Sequence, residues 1–288
     1  MSSMGLSATS MSGFRTTLHL LGLRPGEPLR LAFTLKDGND SLEGRNVRVI
    51  YDTEKPSYHD HMTSWPQRAV TSAQRALGGE RNAAQADEMA KYMKHIAPFL
   101  GVRSGPRRLA LKEQWRDLGI PTSDELGAAC LSLMELRERE YHYAAYDLIA
   151  RYLVRTDEYF LAEYVEGLLA TTPWWDTVDG LGSAAVSPLC WRYDATDLVR
   201  AWSASPNLWL NRAAIQHQRG WKHNTDIDFV LALCDAHSAQ REFFVAKAIG
   251  WALRDLSRLD PSAVRRFLLD HPDLSPVAVR EARRGLER

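Results

Sequence analysis

The sequence predicts an all-α protein, and three observations carry that expectation. Apolar residues recur at helical spacing, as at Tyr141, Ala145, Leu148 and Tyr152, with Ala144 and Ile149 beside them. Leu161, Tyr164, Val165, Leu168 and Leu169 repeat the pattern in the next segment. Four dipeptides, Thr172-Pro173, Ser187-Pro188, Asp260-Pro261 and Ser275-Pro276, set a capping side chain before a proline and read as helix starts. No convincing strand signal follows residue 66. Helices of roughly 10–16 residues joined by short loops fit stacked pairs of an α-solenoid. About 220 residues, at roughly 40–47 per pair, give five or six divergent pairs of a HEAT-like superhelix.

The first 65 residues read differently, so the expected division is 1–65 and 66–288. Pro28 to Leu35 alternates, with Leu29, Leu31, Phe33 and Leu35 on one face. Asn46 to Tyr51 is a second β-like run, and Lys36-Asp37-Gly38-Asn39-Asp40 between them is a turn signal. A small hairpin of these two runs, a flexible extension and an over-long start to the reading frame all fit, since two strands alone are marginal in water.

Composition narrows the class. The 288 residues are 45% hydrophobic and 25% charged, ordinary values for a globular protein. Basic and acidic residues both number 36, which excludes a histone-like binder working on net charge alone. Charge is uneven, however: residues 91–116 carry seven basic residues and one acid, whereas 120–166 carry four basic and ten acidic. A basic concave face with an acidic back would suit DNA, although solvated helix faces explain the same runs. Cys130, Cys190 and Cys234 are scattered, which points to reduced thiols in a cytosolic protein. No apolar run approaches the roughly 18 residues of a membrane span, and the start lacks a signal-peptide pattern.

The distinctive chemistry lies in Thr172-Pro173-Trp174-Trp175-Asp176-Thr177-Val178-Asp179. With Thr172 capping a helix from Pro173, Trp175 and Asp179 share a face at i and i+4. Trp209 with Arg212, and Trp251 with Arg254, repeat a tryptophan-plus-charge pairing, although a single tryptophan is most often simply buried. His59-Asp60-His61 has no later ligand spaced to complete a metal site. Gly78-Gly79 lacks the context of a phosphate loop. The Glu135, Glu138, Glu140 run reads as a solvated face.

Residues from about 66 to the end resemble the DNA alkylation repair enzyme family, the AlkD-like alkylpurine DNA glycosylases. The resemblance rests on Met89-Ala90-Lys91-Tyr92-Met93-Lys94, Phe99-Leu100-Gly101-Val102 through Arg107-Arg108, and Glu138-Arg139-Glu140-Tyr141-His142-Tyr143-Ala144-Ala145. It continues through Trp174 to Asp179, Trp209-Leu210-Asn211-Arg212-Ala213-Ala214-Ile215 and Ala246 to Arg254. It implies HEAT-like repeats and excision of N3- and N7-alkylated purines from duplex DNA, without an enclosing base pocket. By the same resemblance Asp179 is the catalytic aspartate, and Trp175 and Trp251 are the lesion-facing tryptophans. Tyr92 is the active-site tyrosine, Arg212 contacts the DNA backbone, and Arg254 supports it. Arg107 and Arg108 fall in the matching basic segment and are expected on DNA as well.

The chemistry accommodates these residues. An N3- or N7-alkylated purine is cationic and leaves as a neutral base, so no acid is needed at the leaving group. One carboxylate can stabilise the oxocarbenium-like sugar and position water, where glycoside hydrolases often need two. Indole faces attract cations by roughly 0.5–2 kcal/mol, so Trp175 and Trp251 could both favour a cationic nucleotide. No residue in the motif set offers a Schiff-base amine; Lys247 carries no such role in the family. The expectation is a monofunctional glycosylase, monomeric and cytosolic, acting on alkylated duplex DNA with no cofactor. The alternative is a non-catalytic HEAT-like module binding DNA junctions or a protein, for which Asp179→Asn would change nothing.

Overall fold

In a computed structural model, the residues described are 64–287 together with two strands of the N-terminal segment. The chain divides into two units, Met1–Met62 and Thr63–Arg288. In the first, β1 (Arg15–Leu20) pairs antiparallel with β2 (Leu31–Lys36), in a register that sets Leu18 opposite Phe33 and Leu20 opposite Leu31. The strand expected near 28–35 is therefore present, but its partner lies upstream. The run Asn46 to Tyr51 and the His59-Asp60-His61 pair fall outside the described residues. The upstream strand, Arg-Thr-Thr-Leu-His-Leu, carries two adjacent β-branched residues, a signal available in the sequence.

The second unit is helical throughout its described residues, an all-α, solenoid-like stack. Its helices are α1 (Trp65–Gly79), α2 (Ala83–Tyr92), α3 (Ser104–Gln114), α4 (Ser123–Met134), α5 (Arg139–Tyr152), α6 (Glu166–Ala170) and α7 (Trp175–Leu181). They continue with α8 (Ser187–Arg192), α9 (Thr196–Ala204), α10 (Leu208–Ile215), α11 (Ile227–Ala236), α12 (Phe243–Leu256), α13 (Pro261–Asp270) and α14 (Pro276–Leu286). Helix α4 packs on α5, α9 on α10, and α12 on α14, while α5 to α7 and α10 to α12 contacts join the successive layers.

Local chemistry explains the ends. Ser64 and Gln67 form a reciprocal cap on α1, as Thr122 and Glu125 do on α4. Asp260 accepts from Ala263 N at 2.8 Å, and Pro261 opens α13, as the sequence predicts. Pro276 likewise opens α14 after Ser275. The other two differ: α8 does begin at Ser187, but with no side-chain cap bond, and Thr172 does not open α7. Ser187-Pro188 lies inside one continuous rod, in which a π-helical turn, Gly182–Val186, joins α7 to α8. Proline gives no N–H to the ladder, and the ladder widens immediately before it. Thr172 adopts a positive φ of 42°, and α7 begins two residues beyond Pro173, at Trp175.

A main core runs through the stack, from Trp65 and Ala69 to Ala278 and Ala282, and a smaller cluster gathers Met93, Phe99 and Tyr143. Helices α12 and α14 pack closely, so that a Cβ on Gly250 would lie 2.7 Å from Glu281 Cβ and 3.0 Å from Ala278 Cα. The three cysteines are buried and unpaired, and burial pushes the Cys190 and Cys234 thiols up to about 12. No helix among the described residues is long and apolar enough to cross a membrane.

Candidate active site

The site is built on α7. Trp174, just ahead of the helix, is held by aromatic contacts, with ring centroids 5.7 Å from Trp209 and 5.0 Å from Phe244. That anchor fixes where the helix begins, and so fixes the directions of the next residues. Trp175 turns toward α2 and meets Tyr92 edge-on, with centroids 6.2 Å apart. Tyr92 is 72% exposed, an aromatic rim rather than a core residue. One turn along α7, Asp179 accepts from Arg212 Nε at 2.9 Å and from Arg212 Nη2 at 2.8 Å. The third arm of the guanidinium, Nη1, donates to Phe244 O at 2.6 Å. Arg212 is 1% exposed, while the Asp179 side chain remains 16% exposed. A planar fork locked on three acceptors fixes both carboxylate oxygens. The Trp251 ring covers the same guanidinium at 5.0 Å.

Asp176, one turn earlier, is the instructive contrast. It takes two bonds from Arg139, at 2.7 and 3.0 Å, and a third from the Tyr143 hydroxyl. Burial first, then the Asp176 charge, holds the Tyr143 phenol far above its ordinary value, so it serves as a donor. Asp176 is thus consumed by structure, whereas Asp179 keeps an open edge. Beside that edge is a small recess lined by Asp179, Ser183, Ala213, Gln216 and Arg219. Gln216 and Arg219 also line a larger cleft of about 350 Å³, bounded by Trp251, Val230 and Leu256.

The family model of the DNA alkylation repair enzymes matches residues 73–286, from within α1 to the end of α14. The chain belongs to the DNA alkylation repair enzyme family. Among solved structures it is similar to one described as a predicted DNA alkylation repair enzyme from Enterococcus faecalis, with 30% identity and a TM-score of 0.63. That match covers 70% of this chain and 94% of the other. No curated protein matches the chain. Membership gives the chain a role in the repair of alkylated DNA.

Several residues expected at the DNA sit otherwise. Arg212, expected on the DNA backbone, is enclosed and bonded to Asp179 and Phe244 O through all three of its nitrogens, so it presents no free face to a phosphate. Its place is behind Asp179, as the group that orients it. Arg107 is also buried: it binds Asp147 Oδ2 at 2.9 Å and stacks over Tyr143 at 4.9 Å. The basic run 91–116 therefore includes one core cation. Arg108 is exposed and only loosely paired with Asp147, at 3.4 Å. Arg254 bonds Glu281 at 3.0 Å and lies 5.8 Å from the Trp251 ring.

Glu140 departs furthest from the expected solvated face. It is fully buried and accepts from the N–H groups of Leu100, Gly101 and Val102 at 2.9, 2.8 and 3.0 Å. The clamp fixes the loop before α3, where Gly101 has φ +85° and a Cβ would strike Asn82 O at 2.0 Å. Only glycine fits there. Arg139 and Tyr143 fall within a segment that carries the resemblance but have no role assigned from sequence, and Arg219 lies in no marked motif.

Proposed function

We propose that this DNA alkylation repair enzyme is a monofunctional DNA glycosylase for N3- and N7-alkylated purines in duplex DNA, acting in the cytosol as a monomer. One observation carries the reading: the Asp179 carboxylate, fixed by Arg212 and open on one edge, lies on the same helical face as Trp175, and the Arg212 guanidinium that holds it is covered by the Trp251 ring at 5.0 Å. The DNA would lie along the concave side of a curved HEAT-like stack, with the lesion's sugar at Asp179.

The alkylated purine carries positive charge, so cleavage of its bond to C1′ releases a neutral base. The electron pair of that bond leaves with the purine, and C1′ acquires oxocarbenium character. Asp179 stabilises that charge electrostatically, and its open oxygen orients the attacking water. Water oxygen bonds to C1′ and the surplus proton passes by way of Asp179 to solvent. Products are the free base and an intact abasic site. Arg212 touches none of the reacting atoms; it is a positioning residue that holds the carboxylate through two bonds. Trp175 and Tyr92 supply aromatic surface at the rim, against which a cationic base is favoured over a neutral one by about 0.5–2 kcal/mol.

The test is incubation of a methylated duplex with pure protein and identification of the products. Release of N7-methylguanine or 3-methyladenine with an uncut abasic strand is the expected result. Strand cleavage above the heat and alkali background contradicts the monofunctional part. A protein that releases neither base is not the proposed glycosylase.

A further inference from the structure

Trp251 has more positive charge around it than one indole needs. Four cations lie over or beside its ring: Arg212 at 5.0 Å, Arg219 at 5.2 Å, Lys247 at 5.6 Å and Arg254 at 5.8 Å. Two are neutralised, Arg212 by Asp179 and Arg254 by Glu281. Among the described residues the other two have no carboxylate partner. Arg219 is exposed and makes only a long contact, 3.5 Å, to the neutral Gln216 amide. Lys247 touches rings alone, those of Phe243 at 5.5 Å and Trp251. Asp255 lines the same cleft as Arg219 without pairing with it.

Like charges gathered on one ring repel, and exposed cation–π contacts are weak. Such a cluster is therefore suited to an anion that bridges it. Lys247 stands on α12, one turn before Trp251, and Arg219 on the turn after α10, so the two approach the ring from different elements. Stacking on the indole holds both heads in place before a ligand arrives, which lowers the ordering cost of binding.

We propose that Arg219 and Lys247, mounted on Trp251, form a seat for the backbone phosphates flanking the lesion. The seat rests on the glycosylase reading only for its ligand's position: Arg219 lines the recess at Asp179, so a sugar reacting there brings its own phosphates to this ring. An arginine fork and a lysine point charge are both suited to phosphate oxygens. The seat replaces Arg212 as the backbone contact. It also divides the labour of the two tryptophans. A cationic base is repelled from Trp251, so selection for positive charge falls to Trp175 and Tyr92, while Trp251 organises the strand.

The test uses the full chain with Arg219→Met and Lys247→Met combined, which keeps the stems over the ring and removes both charges. Affinity for an undamaged duplex is measured across a salt series, and single-turnover release of N7-methylguanine is followed against enzyme concentration. Two lost phosphate contacts make the plot of log K against log salt shallower by about 1.8. The half-saturating concentration rises at least tenfold, and the saturated rate stays within about threefold of wild type. The charge-keeping pair Arg219→Lys and Lys247→Arg retains the wild-type slope. An unchanged slope in the methionine variant overturns the seat even if excision is normal, and so does an equal fall in the charge-keeping variant. If wild type binds DNA but releases no alkylated base, a fall of this size leaves the seat standing and removes the glycosylase reading alone.

Discussion

Replacing Arg212 with methionine separates two roles that the sequence leaves merged. The guanidinium makes two bonds to Asp179 and one to Phe244 O, all at 2.9 Å or less, from a site with 1% exposure. Removing one member of a fully buried pair costs about 3–5 kcal/mol, most of it the charge left behind. Asp179 is 16% exposed and can be partly rehydrated, so the lower end, about 3 kcal/mol, is the expected loss. For a domain of this size that lowers Tm by roughly 6–12 °C. Adding Asp179→Asn to Arg212→Met removes the stranded charge and restores part of the loss, giving a coupling of about 1–2 kcal/mol in a double-mutant cycle. Excision falls by at least 100-fold below the new Tm, because the carboxylate loses its orientation, while the salt slope for undamaged DNA is unchanged. Calorimetry, single-turnover excision and a salt titration are the assays. A variant with wild-type Tm and a slope shallower by about 0.9 would make Arg212 a phosphate ligand and refute the reasoning.

Three further outcomes are expected. Asp176→Asn weakens the Arg139 and Tyr143 bonds and lowers stability by about 2–4 kcal/mol, yet its excision rate at low temperature stays within a few-fold of wild type, as single-turnover kinetics will show. Glu140→Gln leaves the N–H groups of residues 100–102 with one acceptor oxygen for three donors and costs about 2–4 kcal/mol, measured by urea unfolding. Burial pushes His217 down to about 4; its Nδ1–H donates to Ala214 O, and Nε2 accepts from the Gln218 amide. The unfolded chain therefore takes up this proton first as pH falls below about 6.5, and stability drops by roughly 3 kcal/mol by pH 4. Above pH 7 the contribution is constant, and His217→Gln flattens the acid limb of the urea midpoint.

Local features were legible in the sequence and distant pairings were not. Helical spacing and the Asp260-Pro261 cap depend on neighbours within a few residues, and both hold. Thr172-Pro173 carries the same local signal, but Trp174 is gripped by Trp209 and Phe244, and that tertiary anchor moves the helix start to Trp175. Glu140 looked like surface because its partners are backbone groups 38 to 40 residues upstream, which no side-chain pattern announces. Arg107 is hidden for the same reason, its carboxylate lying 40 residues on. Trp175 and Asp179 were readable as one face from their i, i+4 spacing. That Arg212 would face Asp179, 33 residues away, was not.

The central claim is that Asp179 carries the chemistry, and single-turnover release of N7-methylguanine by wild type and Asp179→Asn tests it most directly. Wild type releases the base and the variant loses about 10²–10³-fold, with duplex affinity retained. Equal release by both proteins, or none by well-folded wild type that binds the duplex, would contradict it.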